Sequence, residues 1–209
     1  MKYTEEFRDE MPKTLSEFVT YLKKKSQTSE FKYLIDVLIE NAKSSSNNLT
    51  WSVIYQVIRE ADAGRLSWGY HKELLCGIFF MLSRIGDSKS YRIVINYGKS
   101  LDRPIPLGAI KFIASQLSSF QDLEIRELLD LAKDKSHIKS AFGVVCLSVL
   151  LIENKLSPEE LEEFQGIIDF YLNSVYFMDN YIESIKEHIE DMKEGSLSMN
   201  MDELDDLFS

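Results

Sequence analysis

An all-α fold is predicted by three features of the sequence. Apolar residues recur at helical spacing from near the start to about residue 194. Turn-forming residues are scarce, with only 4 Pro and 9 Gly among 209 residues, whereas an all-β chain needs turn signals about every 8–12 residues. A full capping box stands at Ser157. A chain of this length buries a sizeable core without disulfides, and a hydrophobic share of 44% is ordinary for a globular protein.

The elements follow in order. Leu15, Phe18, Val19 and Leu22 mark one helical face, and Phe31, Leu34, Ile35 and Leu38 the next, each at i, i+3, i+4, i+7. After the polar break Ser44 to Asn48, Thr50 is the expected N-cap of a helix carrying Val53, Ile54, Val57 and Ile58, with Leu49 stapled onto Ile54 and Gly64 as the stop. Ser67 is expected to cap a helix through Leu74, Leu75, Ile78, Phe79 and Leu82 to Gly86. Asp87 opens a short helix with Tyr91, Val94 and Ile95, ended by Gly98.

Pro104 and Pro106 then precede Leu107, Ile110, Ile113, Ala114 and Leu117. Asp122 is expected to start a helix with Ile125, Leu128, Leu129 and Ala132. Ser136 leads into the most apolar stretch, Ile138 to Ile152. At Ser157-Pro158-Glu159-Glu160, Ser157 is the N-cap, Pro158 holds the first helical position and Glu160 reaches back. The last helix carries Tyr181, Ile182, Ile185, Ile189 and Met192 and closes at Gly195.

Paired, these helices give five hairpins beginning near Thr14, Thr50, Asp87, Asp122 and Ser157, at intervals of 36, 37, 35 and 35 residues. A period of that size is what stacked helix–turn–helix repeats show; a helical bundle of similar-length helices is the alternative. Residues 1–195 read as one domain and 196–209 as an acidic–hydrophobic tail, either flexible or docked as a short helix.

Charge divides the chain unevenly. Residues 1–150 hold 21 Lys+Arg against 18 Asp+Glu, and residues 151–209 hold 3 against 16. On the final helix Glu183, Glu187, Glu190, Asp191 and Glu194 follow spacings of four, three, one and three, which places them on one broad solvent face. In the tail, Asp202, Glu203, Asp205 and Asp206 interleave with Leu204, Leu207 and Phe208, an alternation common in short interaction motifs. These residues are the candidate contacts for a partner with a basic face. Direct nucleic-acid binding is not expected, because it relies on phosphate neutralisation by Lys and Arg. The one basic run, Lys23-Lys24-Lys25, ends a helix, where cations suit the dipole.

Catalytic motifs are few. His71, His137 and His188 lie on different predicted helices, with no His-Glu-x-x-His and no Glu-x-x-His. His71 reads as a capping or surface residue and His137 as a turn residue. His188, among Glu187, Glu190 and Asp191, is expected to favour its protonated form. The glycines are too dispersed for a phosphate loop, and neighbouring carboxylates such as Glu159 and Glu160 complement the helix dipole. Neither a metal nor any other cofactor is called for. An α-helical enzyme with a dispersed carboxylate site remains an alternative. Cys76 and Cys146 sit inside apolar runs and read as core residues. The start of the sequence lacks a signal-peptide stretch, and the run from Phe142 to Ile152 is too short to span a bilayer. A cytoplasmic location without membrane contact is the expectation.

The stretch Gln121 to Ile152, an acidic-capped helix, a polar turn and a small-residue-rich apolar helix, resembles a HEAT-type unit. The resemblance implies a scaffold or adaptor fold in which an acidic and a basic residue knit neighbouring repeats, with Asp130 and Lys139 as the equivalents. In size, acidity and lack of catalytic motifs the chain also resembles bacterial immunity proteins. That likeness implies neutralisation of a basic, nuclease-like toxin by the carboxylates of the last two helices.

Overall fold

A computed structural model describes residues 7, 10–44, 49–173 and 180–194. Among them ten helices are delimited: α1 (Leu15–Lys25), α2 (Phe31–Ser44), α3 (Leu49–Asp62), α4 (Lys72–Ile85), α5 (Ser88–Ser100), α6 (Leu107–Leu117), α7 (Ile125–Ala132), α8 (His137–Ile152), α9 (Pro158–Asn173) and α10 (Asn180–Lys193). The described residues contain no strand, and no helix is long and apolar enough to cross a membrane.

The packing follows chain order in two layers. In one layer α1 packs on α3, α3 on α5, α5 on α7 and α7 on α9; in the other, α2 packs on α4, α4 on α6, α6 on α8 and α8 on α10. Each helix from α1 to α8 therefore meets the helix two places on, as hairpins stacked in sequence require. The first helices begin at Leu15, Leu49, Ser88, Ile125 and Pro158, at intervals of 34, 39, 37 and 33 residues. Helix α8 is the centre of the second half. It contacts α5, α6, α7, α9 and α10, and it is buried continuously from Ser140 to Leu150, as an all-round apolar helix must be. Cys76 and Cys146 are buried core residues with free thiols, and Trp51 and Trp68 are buried as well.

Several expected helix ends hold. Thr14 Oγ1 accepts from the Glu17 amide at 3.4 Å and Asp87 Oδ1 from the Ser90 amide at 2.8 Å. At α9 the box is complete: the Ser157 amide donates to Glu160 Oε2 at 2.8 Å and the Glu160 amide to Ser157 Oγ at 3.3 Å.

Others differ from expectation. Thr50 is not a cap: α3 starts at Leu49 and Thr50 is buried in its first turn. Ser67 caps a separate turn through the Tyr70 amide (3.2 Å), and α4 begins later, at Lys72. Asp122 is engaged by the Ser88 hydroxyl of α5, so α7 opens at Ile125. Gly98 does not end α5, which runs on to Ser100; the ring of Phe142 seats against it where a Cβ would stand 2.5 Å from Cε1.

Neighbouring units are knitted by charge, but not through Asp130 and Lys139. Asp130 pairs with Arg126 of its own helix at 3.2 Å. The pairs that cross between units are Arg92 and Lys99 of α5 on Glu127 of α7, at 2.7 and 2.8 Å, and Arg126 and Lys133 on Glu163 of α9. Lys23 reaches Glu60 of α3 at 2.8 Å. In two places, basic residues seven apart thus clamp a single carboxylate on the next unit.

Candidate acidic interaction face

Helix α10 is amphipathic for a simple reason. Ile182, Ile185 and Ile189 point inward at helical spacing and are buried against α8 and α9. The opposite side carries Glu183, Glu187, Glu190, Asp191 and Glu194, and all five are exposed. The structure brings these five predicted contacts onto one face. The tail residues Asp202, Glu203, Leu204, Asp205, Asp206, Leu207 and Phe208 lie outside the described residues.

The carboxylates of α10 differ in state from three in the first layer. Glu60, Glu127 and Glu163 in the first layer are each held by one or two cations from the preceding unit. Burial alone would raise the Glu127 carboxyl, but Lys99 and Arg92 outweigh it and hold it below the usual range. Glu183, Glu187, Glu190 and Glu194 make no ion pair among the described residues. The two lysines of α10 are turned to α9: Lys193 reaches Asp169 Oδ1 at 3.3 Å and Lys186 the Leu172 carbonyl at 3.4 Å. They leave Glu183, Glu187, Glu190 and Glu194 without a cation among the described residues.

His188 departs from expectation. Rather than sharing the acidic face and being protonated there, it is buried at 3% exposure with Nε2 2.8 Å from Ser148 Oγ of α8. Burial, then the nearby Lys111 ammonium, push its pKa down to about 4, against a smaller opposing pull from Asp191. Burial likewise lowers Lys111, opposed by Asp191. The neutral imidazole is thus a structural group between α8 and α10. Its spacing carried the signal: His188 lies three after Ile185 and four before Met192, on the apolar stripe.

Elsewhere two buried or half-buried polar pairs join neighbouring elements. Trp68 Nε1–H donates to the Tyr97 hydroxyl at 2.9 Å, and Ser100 Oγ–H to Asp62 Oδ1 at 2.9 Å. Burial, the largest influence on Asp62, raises its pKa, with Ser100 opposing and Asp102 adding. Among the described residues no group of three His, Cys, Asp or Glu is placed to hold a metal ion. Comparison of the chain with protein-family models, with curated proteins and with solved structures finds no match.

Proposed function

We propose that this chain is an interaction module whose α10 face engages a basic protein surface, in the manner of an immunity protein neutralising a basic, nuclease-like toxin. The observation that carries this reading is the contrast within one molecule. Glu60, Glu127 and Glu163 in the first layer are held by internal clamps, while four carboxylates clustered on α10 are exposed with no ion pair among the described residues. An uncompensated field of one sign attracts a partner of the other and raises association rates by on the order of 10–1000-fold at low salt. The layered stacking of hairpins favours a second reading, a scaffold or adaptor using the surface of the array, because such arrays present extended binding surfaces.

Co-purification with the tagged chain, compared with the triple variant Glu183→Lys, Glu187→Lys, Glu190→Lys, tests the first reading. Basic proteins should be retained at low salt and lost both at high salt and with the variant. In the immunity form, the retained protein is a nuclease whose activity the unaltered chain suppresses. Recovery of acidic partners alone, or equal recovery by the variant, would refute the acidic-face reading. Salt-insensitive capture that survives the triple variant would instead move the site to the helical body.

A further inference from the structure

A cavity of about 290 Å³ opens at the loop end of the second and third units, between the α3–α4 connection and the segment joining α5 to α6. Its volume is at the lower end of small-ligand sites, about 300–1,000 Å³. Leu66, Trp68, Leu101 and Ile105 supply buried apolar wall. Its charged lining is Asp62, Asp102 and Arg103. Arg103 is engaged: Nε lies 2.9 Å from Asp102 Oδ1, and the guanidinium occupies the place that a Cβ at Gly64 would need. That pair cancels at the exposed rim and leaves Asp62 as the net charge.

Asp62 sits where a carboxylate is least favoured. It is the last residue of α3, and Ser100 is the last of α5, so two helix C-termini, the negative ends of their dipoles, meet at the cavity. Asp62 makes no ion pair among the described residues. Its side chain accepts only from Ser100 Oγ at 2.9 Å, and the Tyr97 carbonyl competes for the same proton at 2.8 Å. Burial raises its carboxyl against the pull of Ser100, with Asp102 adding. Tyr97, 3% exposed, accepts from Trp68 Nε1–H at 2.9 Å, and its own hydroxyl proton has no acceptor among the described residues. Burial pushes that hydroxyl up to about 12, so at neutral pH it is a donor. We propose that this cavity binds a small organic ammonium ion that also carries a hydroxyl or carbonyl oxygen, the ammonium donating to Asp62 and the oxygen accepting from Tyr97. Both half-satisfied groups are then matched, and the positive charge falls at the helix C-termini. None of the lining residues belongs to α10, so the inference does not rest on the proposed partner.

The two tryptophans give the readout. Trp68 lines the cavity, whereas the Trp51 indole N–H donates to the Ala42 carbonyl in another part of the core. Titrating the isotope-labelled full chain at pH 7 with ethanolamine, and with the larger phenylethanolamine, should shift the Trp68 indole signal saturably and leave that of Trp51 in place. Phenethylamine, which lacks the hydroxyl, should bind several-fold more weakly than phenylethanolamine. Phenylethanol, which lacks the charge, should bind about tenfold more weakly or worse. Asp62→Asn keeps the side-chain shape and should remove the advantage of amine over alcohol, with an unmoved Trp51 signal showing that the variant is folded. Tyr97→Phe should remove the preference for phenylethanolamine over phenethylamine. No saturable Trp68 shift with either amino alcohol, equal binding of phenylethanol, or affinity unchanged by Asp62→Asn would overturn the proposal. So would tighter binding of acetyl-lysine amide, which assigns the cavity to a lysine side chain of another protein.

Discussion

His188 Nε2 lies 2.8 Å from Ser148 Oγ, with both side chains buried where α10 meets α8. Ser148 Oγ also lies 2.8 Å from the Val145 carbonyl. With the hydroxyl proton on that carbonyl, the serine oxygen is left to accept from the imidazole; with the other tautomer it donates to it. In either case the ring is uncharged, and among the described residues no carboxylate hydrogen-bonds to it.

Acid should therefore weaken the fold through His188. An unfolded histidine titrates near 6.5, and the folded one near 4. Because the folded value is depressed, the stabilisation is complete above pH 6.5. It declines as the unfolded state takes up the proton first, and it is gone below about pH 4. The size is roughly 3–4 kcal/mol, at about 1.4 kcal/mol for each unit of displacement. Urea midpoints at pH 7 and pH 4.5 should diverge for the parent chain and diverge less for His188→Leu. Parallel pH profiles would show that this pair does not set acid sensitivity.

The acidic face of α10 was legible because its outward carboxylates and inward isoleucines obey one period. His188 obeys the same period on the inward side, although its charged sequence neighbours point to the acidic face. Caps that act locally, Thr14, Asp87 and Ser157, were readable from spacing. Ser67 and Asp122 were not, because their side chains serve a separate turn and the Ser88 hydroxyl, respectively. The clamp was also present in the sequence: Arg92 and Lys99 recur 34 residues later as Arg126 and Lys133. Its meaning depends on which helices are neighbours, which periodicity does not specify, and so Asp130 and Lys139 are equally plausible partners in the sequence alone.

Two glycines should respond to alanine with opposite signs. A Cβ at Gly143 would stand 2.4 Å from the Ala132 nitrogen and 2.9 Å from the Leu128 oxygen, both backbone atoms of α7. Gly143→Ala forces α7 and α8 apart and should cost about 1–3 kcal/mol or more. At Gly166 the space is open, so Gly166→Ala gains about 0.5–1 kcal/mol from helix propensity. Thermal melts resolve this, since 1 kcal/mol shifts Tm by about 2–4 °C at this size. Shifts of the same sign would contradict the packing described.

Native thiols should be inert. Burial pushes Cys76 up to about 12 and raises Cys146 as well, and neither exposes surface. The reactive thiolate is therefore suppressed in both. Ellman's reagent at pH 8 should titrate no thiol in the folded chain and both in urea. Prompt reaction of one thiol without denaturant would mean that its helix opens readily.

The Glu127 clamp supplies a test of how the units are held. Its side chain is 17% exposed and receives both Arg92 and Lys99. Glu127→Gln removes the charge but not the volume, and should cost roughly 1 kcal/mol, more than an exposed single pair. Glu124, paired with Arg92 alone and 49% exposed, is the control, and Glu124→Gln should fall within about 0.5 kcal/mol of the parent. Because the Glu127 carboxyl is depressed on folding, its contribution is present above the ordinary carboxyl range and is lost as pH falls through the folded value. Raising salt to about 1 M shortens the screening length to about 3 Å and should shrink the difference between parent and Glu127→Gln. In a double-mutant cycle with Lys99→Met, a coupling near zero would mean that the α5–α7 contact is carried by its apolar surface alone.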